Sequence, residues 1–287
     1  MKLTKNKLVE TIGKKNRGWT TYQARKIAGI SVRRVNQIWK KYLLTGKIPE
    51  LGKKNGRPVK PFQDWEIDVV KEAYEKYKVS ADTLESFIEK DYGKRIGHNR
   101  IHRILLELGY AARKGRIDVR KKKWIRYERR HSLTAVHIDW HYCARKQIWV
   151  FAVLDDASRK LLALVECRSP TTEQSIHGMR LAMLHGKISQ CICDHGTQFI
   201  KHEGMESSFR DFLDENGIKQ ILCRIKHPQS NGKVEKFFDL YQNKRHMFDT
   251  MEEFVNWYNE VRPHRSLNFE ILETPSQAFI RKMKAEV

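Results

Sequence analysis

The chain has 287 residues, 56 Lys+Arg against 34 Asp+Glu for a formal net charge of +22, and 40% hydrophobic with 10% aromatic residues. That balance excludes an intrinsically disordered chain and leaves room for two or more domains, at least one with a sizeable core. No run is apolar enough to cross a membrane and the N-terminus has no signal-peptide pattern, so the expected location is cytoplasmic, associated with the nucleoid of a cell without a nucleus.

The charge is unevenly placed: residues 1–130 hold 35 Lys+Arg against 14 Asp+Glu, and residues 131–287 hold 21 against 20. A front half with nearly all the excess points to a polyanion, nucleic acid above all, as partner. Cysteines 143, 167, 191, 193 and 223 form no CxxC pair, so they read as buried core thiols rather than a tetrahedral zinc site.

In chain order, "TTYQARKIAGISVRRVNQIWKKYLLTGKI" predicts a helix-turn-helix. Thr20 or Thr21 caps a short helix ending near Ala28, Gly29-Ile30-Ser31 turns the chain, and Ser31 caps a second helix through about Leu44. Val35, Ile38 and Trp39 face inward, while Arg33, Arg34, Asn36, Gln37, Lys40 and Lys41 face out, where major-groove reading needs basic and amide side chains. The basic linker "LGKKNGRPVKP" includes Arg57, an extended Arg segment suited to a minor groove. A second helical unit has a helix over 64–77, another capped by Ser80 or Asp82, and a third in "IGHNRIHRILLELGY". In that third helix Ile101, Ile104, Leu105 and Leu108 lie inside, and Asn99, Arg100 and Arg103 are candidate DNA contacts on or near the outer side. His98 and His102 are spaced like metal ligands, but no carboxylate or thiol partner is at hand, so they read as exposed or DNA-facing. The basic stretch that follows has too few apolar positions to pack alone and reads as a connector that tracks phosphates.

From residue 131 the texture changes. The segments 134–142, 147–156 and 160–167 predict an antiparallel meander. A helix over about 171–185, a strand ending at Asp194, a helix near 206–216, the strand "KQILC" and a helix carrying Glu235 complete a mixed α/β sheet with packed helices. Asp139 lies mid-strand in "VHIDWHY", on the face opposite Val136 and Ile138, where a buried acid must be paired, protonated or metal-bound. Asp194 ends another strand at "CDHGTQF", where Gly196 lets the backbone turn, and Glu235 sits one turn into the helix launched by "HPQSNGKVEKFF". Three carboxylates from three elements suit a hard divalent cation, and two such ions suit phosphoryl displacement. Asp155-Asp156 reads as a pair of turn formers at a strand corner.

In these stretches, together with "WIRYERRHSLTAVHIDW", "FAVLDDASRKLLAL" and "FVNWYNEVRPHRSLNFEILETPSQAF", the chain resembles the DDE transposases of prokaryotic insertion sequences, which share the retroviral-integrase catalytic core. The resemblance covers about residues 124–280 and implies an RNase H-like fold. It also implies that Asp139, Asp194 and Glu235 bind two Mg²⁺ (or Mn²⁺), and that a dimer or higher oligomer assembles on inverted-repeat DNA ends. His195 stands where Asn is usual, Gln198 where Glu is common, and "KHEGMES" lengthens the interval between Asp194 and Glu235. No His/Cys zinc domain of the retroviral type precedes the core.

The domains expected are 1–56, a first helix-turn-helix domain with basic linker; 57–118, a second; 119–131, a basic connector; and 132–287, the catalytic domain with a C-terminal segment. His227, Asn231 and Lys233 are expected to position DNA. The function expected is metal-dependent cleavage and strand transfer of element ends. The alternatives are a DNA-binding regulator with an idle core and a purely hydrolytic nuclease.

Overall fold

The computed structural model describes residues 3–52, 60–112, 127–200, 208–223 and 231–284. It divides into two compact units, Met1–Pro61 and Phe62–Val287. Arg57, His227 and the stretch 201–207 lie outside the described residues.

The first unit is all helical: α1 (Lys5–Asn16), α2 (Thr21–Ala28) and α3 (Val32–Thr45). Thr20 accepts from Gln23 N–H and receives Gln23 in a reciprocal capping box, while Ser31 accepts from Arg34 N–H to start α3. Gly29 closes α2 at φ 65°, a left-handed conformation that glycine adopts without a Cβ penalty. Leu8, Ile12, Ala24, Ala28, Val35 and Ile38 form its buried interior.

In the second unit, α4 (Asp64–Tyr77), α5 (Ala81–Tyr92) and α6 (His98–Glu107) precede β1 (Val136–Cys143), β2 (Ile148–Asp155) and β3 (Leu161–Cys167). Then come α7 (Thr172–Met183), β4 (Gln190–Cys193), α8 (Ser208–Glu215), β5 (Lys219–Leu222), α9 (Gly232–Lys244), α10 (Met251–Asn256) and α11 (Pro275–Arg281). The five strands run in the order β3-β2-β1-β4-β5. The first three form an antiparallel meander, and β4 and β5 join parallel to β1. This mixed sheet with flanking helices is the RNase H-like architecture expected from the sequence.

Strand alternation divides the core between the two faces. Val136, Ile138, Phe151, Val153 and Val165 pack with Met179 and Ala182 of α7 and Phe209 and Leu213 of α8. Val150, Ala152, Leu154 and Leu164 pack with Val234, Phe237, Phe238 and Tyr241 of α9. Helices α4–α6, expected as a domain of their own, share that second core: Val70, Tyr74, Leu84, Ile101 and Ile104 belong to the same cluster as Phe254 and Trp257. Trp257 Nε1 donates to Tyr77 O at 2.7 Å, and Lys244 Nζ to Tyr74 Oη at 3.1 Å. The three helices pack chiefly on one another, and their buried side chains join the apolar cluster that α9 and α10 complete.

Candidate active site

Asp139 occupies the middle of β1. The parallel register pairs Val136 with Cys191 and His137 with Ile192, and extended by two residues it sets Asp194 level with Asp139. Adjacent strands lie about 4.8 Å apart and paired residues share a face, so both aspartates rise from one face at one edge position. Their helix neighbour on that face is α9, whose first turn carries Glu235.

Each side chain has its local support. Trp140 N–H donates to Asp139 Oδ1 at 2.8 Å, and the Asn231 amide donates to Oδ2 at 3.0 Å. Asn231 occupies the N-cap position of α9, yet its side chain makes no capping bond and is spent on Asp139 instead. Gly196 N–H donates to Asp194 Oδ1 at 2.9 Å. A Cβ on Gly196 would stand 2.6 Å from Gln198 Oε1 and 3.0 Å from Asp194 Oδ1, so a larger residue there would push on both side-chain ends.

The electrostatics tie the three acids together. Burial, with the negative charges of Asp194 and Glu235, pushes the Asp139 carboxyl up to about 7, against the hydrogen bonds from Trp140 and Asn231. Cys223 reports the same field: burial and the charges of Asp194, Asp139 and Glu235 raise its thiol to about 11. Carboxylate oxygens in a field this negative are the donor set a hard divalent cation takes, and its charge would relieve the repulsion. The set is not drawn into a closed cage. Among the described residues no three His, Cys, Asp or Glu side chains are gathered tightly enough to hold a metal ion.

Two residues expected to touch DNA are turned inward. Asn231 is buried on Asp139, and Lys233 Nζ lies 2.5 Å from Asp156 Oδ1 with its side chain 13% exposed. Asp155 does form the turn, accepting from Ser158 N–H and Oγ, but Asp156 is a fully buried partner of His137 and Lys233. Sequence reading missed that role, although His137 shares the face of Asp139 and a histidine there needs a partner. Arg100 is likewise engaged inside its own unit. Its guanidinium forks onto Glu66, with Nε on Oε1 at 2.5 Å and Nη2 on Oε2 at 2.5 Å. Asn99 and Arg103 are exposed on α6, and Arg33, Arg34, Asn36, Gln37 and Lys40 are exposed on α3. His98 is bound to Glu85 at 3.0 Å.

Known proteins resemble this chain over the same region. The integrase core domain family matches residues 129–228, and a second integrase core domain description matches residues 216–270. The ORF3 protein of Spiroplasma virus SpV1-C74, named as an integrase, is 26% identical over 189 residues, covering 55% of this chain and 51% of that protein. The chain thus spans about half the length of that relative. A transposase-like protein of Haemophilus influenzae is 25% identical over 58% of this chain and 87% of its own length. A 31.7 kDa protein of insertion element IS407 from Burkholderia multivorans is 23% identical over 70% of this chain and 76% of its own length. With the mixed sheet and the three acids at its margin, these likenesses show that residues 129–270 of the chain form an integrase core domain, similar to those of proteins named as integrases and transposase-like proteins.

Proposed function

We propose that the protein binds the inverted-repeat ends of a mobile element and catalyses their cleavage and transfer into target DNA. The observation that carries this reading is the shared field of Asp139, Asp194 and Glu235 at one sheet margin. Asp139, Asp194 and Glu235 would hold Mg²⁺ or Mn²⁺, two ions per site. When bound, these ions supply Lewis acidity toward the phosphodiester and its attacking and leaving oxygens.

The chain's own residues supply the rest. Trp140 N–H and Asn231 fix the orientation of the Asp139 carboxylate. The exposed face of α3, with Arg33, Arg34, Asn36, Gln37 and Lys40, is the major-groove reader, and Asn99 and Arg103 on α6 are a separate DNA contact of the second unit. Arg57 and His227 complete the proposed DNA contacts. Assembly of a dimer or higher oligomer on paired ends and a nucleoid location belong to the same proposal. Among the described residues no helix is long and apolar enough to cross a membrane.

The test uses labelled duplexes carrying the element's terminal repeats, with Mg²⁺ or Mn²⁺. Glu235→Gln and Asp194→Asn should abolish nicking and joining by 10³-fold or more, on the order expected for losing essential charge stabilisation, while end binding in a gel shift persists. Either variant retaining full activity would refute the assignment. Wild-type binding without nicking would support a regulator with an idle core, and nicking without joining a hydrolytic nuclease.

A further inference from the structure

Asp156 is fully buried, and its two oxygens gather three donors. Oδ1 meets His137 Nε2 at 2.7 Å and Lys233 Nζ at 2.5 Å, and Oδ2 accepts Arg129 N–H at 2.6 Å. The donors come from the segment leading into β1, from β1 two residues before Asp139, and from the first turn of α9 two residues before Glu235. One carboxylate therefore clamps together the elements that carry two of the three acids.

A clamp of this kind is poor at stabilising a fold, because removing a carboxylate and an ammonium from water cancels most of their attraction. What it confers is position. Among the described residues, His137, 0% exposed, leaves Nδ1 without a hydrogen-bond partner, and Asn231 leaves Oδ1 in the same condition. Through Nδ2 Asn231 holds Asp139. The contacts run from Asp156 to His137 on β1 and to Lys233 in the opening turn of α9, and the N-cap residue of that same helix, Asn231, reaches Asp139.

We propose that Asp156, His137 and Lys233 are positioning residues for the active site: they lock the first turn of α9 against β1, so that Asn231 meets Asp139 and Glu235 faces it. This rests on the reading of Asp139, Asp194 and Glu235 as the catalytic set.

Full-length His137→Leu, His137→Gln and Asp156→Asn would be compared with wild type in four measurements: Mg²⁺-dependent turnover on end DNA, KM, duplex affinity, and Mn²⁺ affinity by electron paramagnetic resonance. Leucine fills the space without a polar atom, whereas glutamine keeps an amide able to donate to Asp156. His137→Leu and Asp156→Asn should lower turnover and Mn²⁺ affinity about 10- to 100-fold, the cost of losing groups that orient ligands. KM and duplex affinity should stay within about twofold, and His137→Gln should recover most of the loss.

A folded His137→Leu or Asp156→Asn with wild-type turnover and Mn²⁺ affinity overturns the proposal. So does a loss that KM and duplex affinity share and that glutamine does not recover. If both variants fail to fold, Lys233→Met at the rim of the cluster carries the same comparison. If wild type neither nicks nor joins DNA, the catalytic reading fails, and the Mn²⁺ measurement still decides the positioning role.

Discussion

Replacing Asp139 by Asn should make the protein more stable at pH 8 while abolishing its chemistry. Asp139 is raised from 3.8 to about 7 by burial and by the charges of Asp194 and Glu235. Because its folded pKa lies above its unfolded one, the fold keeps a proton that the unfolded chain has released. Ionisation therefore erodes stability as pH rises from about 4 to about 7, and the full cost is present above that. At about 1.4 kcal/mol per unit, the rise from pH 5 to the folded pKa costs wild type about 3 kcal/mol, reduced to about 2 when the three coupled acids share the titration. The Asn variant has no such term. It does lose one acceptor facing Trp140 N–H or Asn231, a cost of about 1 kcal/mol that is the same at every pH and cancels when the two conditions are compared. Urea denaturation of both proteins at pH 5 and pH 8 measures the change. The variant should gain about 2 kcal/mol on wild type between the two, and Mn²⁺ at pH 8 should stabilise wild type alone. An equal gap at both pH values would refute the claim that Asp139 is held in an unrelieved negative field.

Gly178→Ala on α7 should destabilise the second unit. The new Cβ would stand 2.4 Å from Phe151 Cδ1 in the central sheet, and overpacking of about 1–3 kcal/mol outweighs the gain of about 1 kcal/mol in helix propensity; thermal unfolding reads the sign. Glu66→Gln removes the charge that receives Arg100 in a fork while keeping an oxygen able to cap Gln63 N–H, and should lower the denaturant midpoint modestly, as loss of a partly exposed ion pair does. Arg33→Ala and Arg34→Ala should each weaken duplex binding by fluorescence anisotropy, lowering the slope of log affinity against log salt by about 1 for a phosphate contact and relaxing sequence preference for a base contact; unchanged affinity, slope and preference would move the DNA interface off α3.

Local chemistry made much of the fold legible. Caps at Thr20 and Ser31 and the left-handed Gly29 marked the first two-helix turn, and the spacing of Val234, Phe237, Phe238 and Tyr241 marked α9. Asp139 stood out because an acid amid alternating apolar residues has to be explained. Helix α1 gave no such signal, with only Leu8 and Ile12 as buried apolar side chains among lysines and polar residues. The long-range pairings were illegible for a different reason: a side chain's sequence neighbours do not reveal its spatial ones. Arg100 sits on a helix flank that periodicity calls outward, yet Glu66, far back in the chain, claims it. Asp156 follows a true turn former and resembles one, while its partners His137 and Lys233 arrive from separate elements. Lys233 and Asn231 look like a polar leader to DNA until the sheet edge is assembled beneath them.

Helix α9 is anchored at its far end as well as at its start. Glu166 on β3 accepts from Tyr241 Oη at 2.6 Å and from Arg245 Nε at 2.8 Å, while Lys233 is fastened to Asp156 at the opening turn. A rod bolted at both extremities can neither slide nor roll, so Glu235 behaves as the stationary jaw of a vice. Asp194, by contrast, lies one residue past the end of β4 and, among the described residues, is held by the Gly196 backbone N–H. Damage to the remote bolt, as in Glu166→Gln, would accordingly be felt at the chemistry some two turns of helix away.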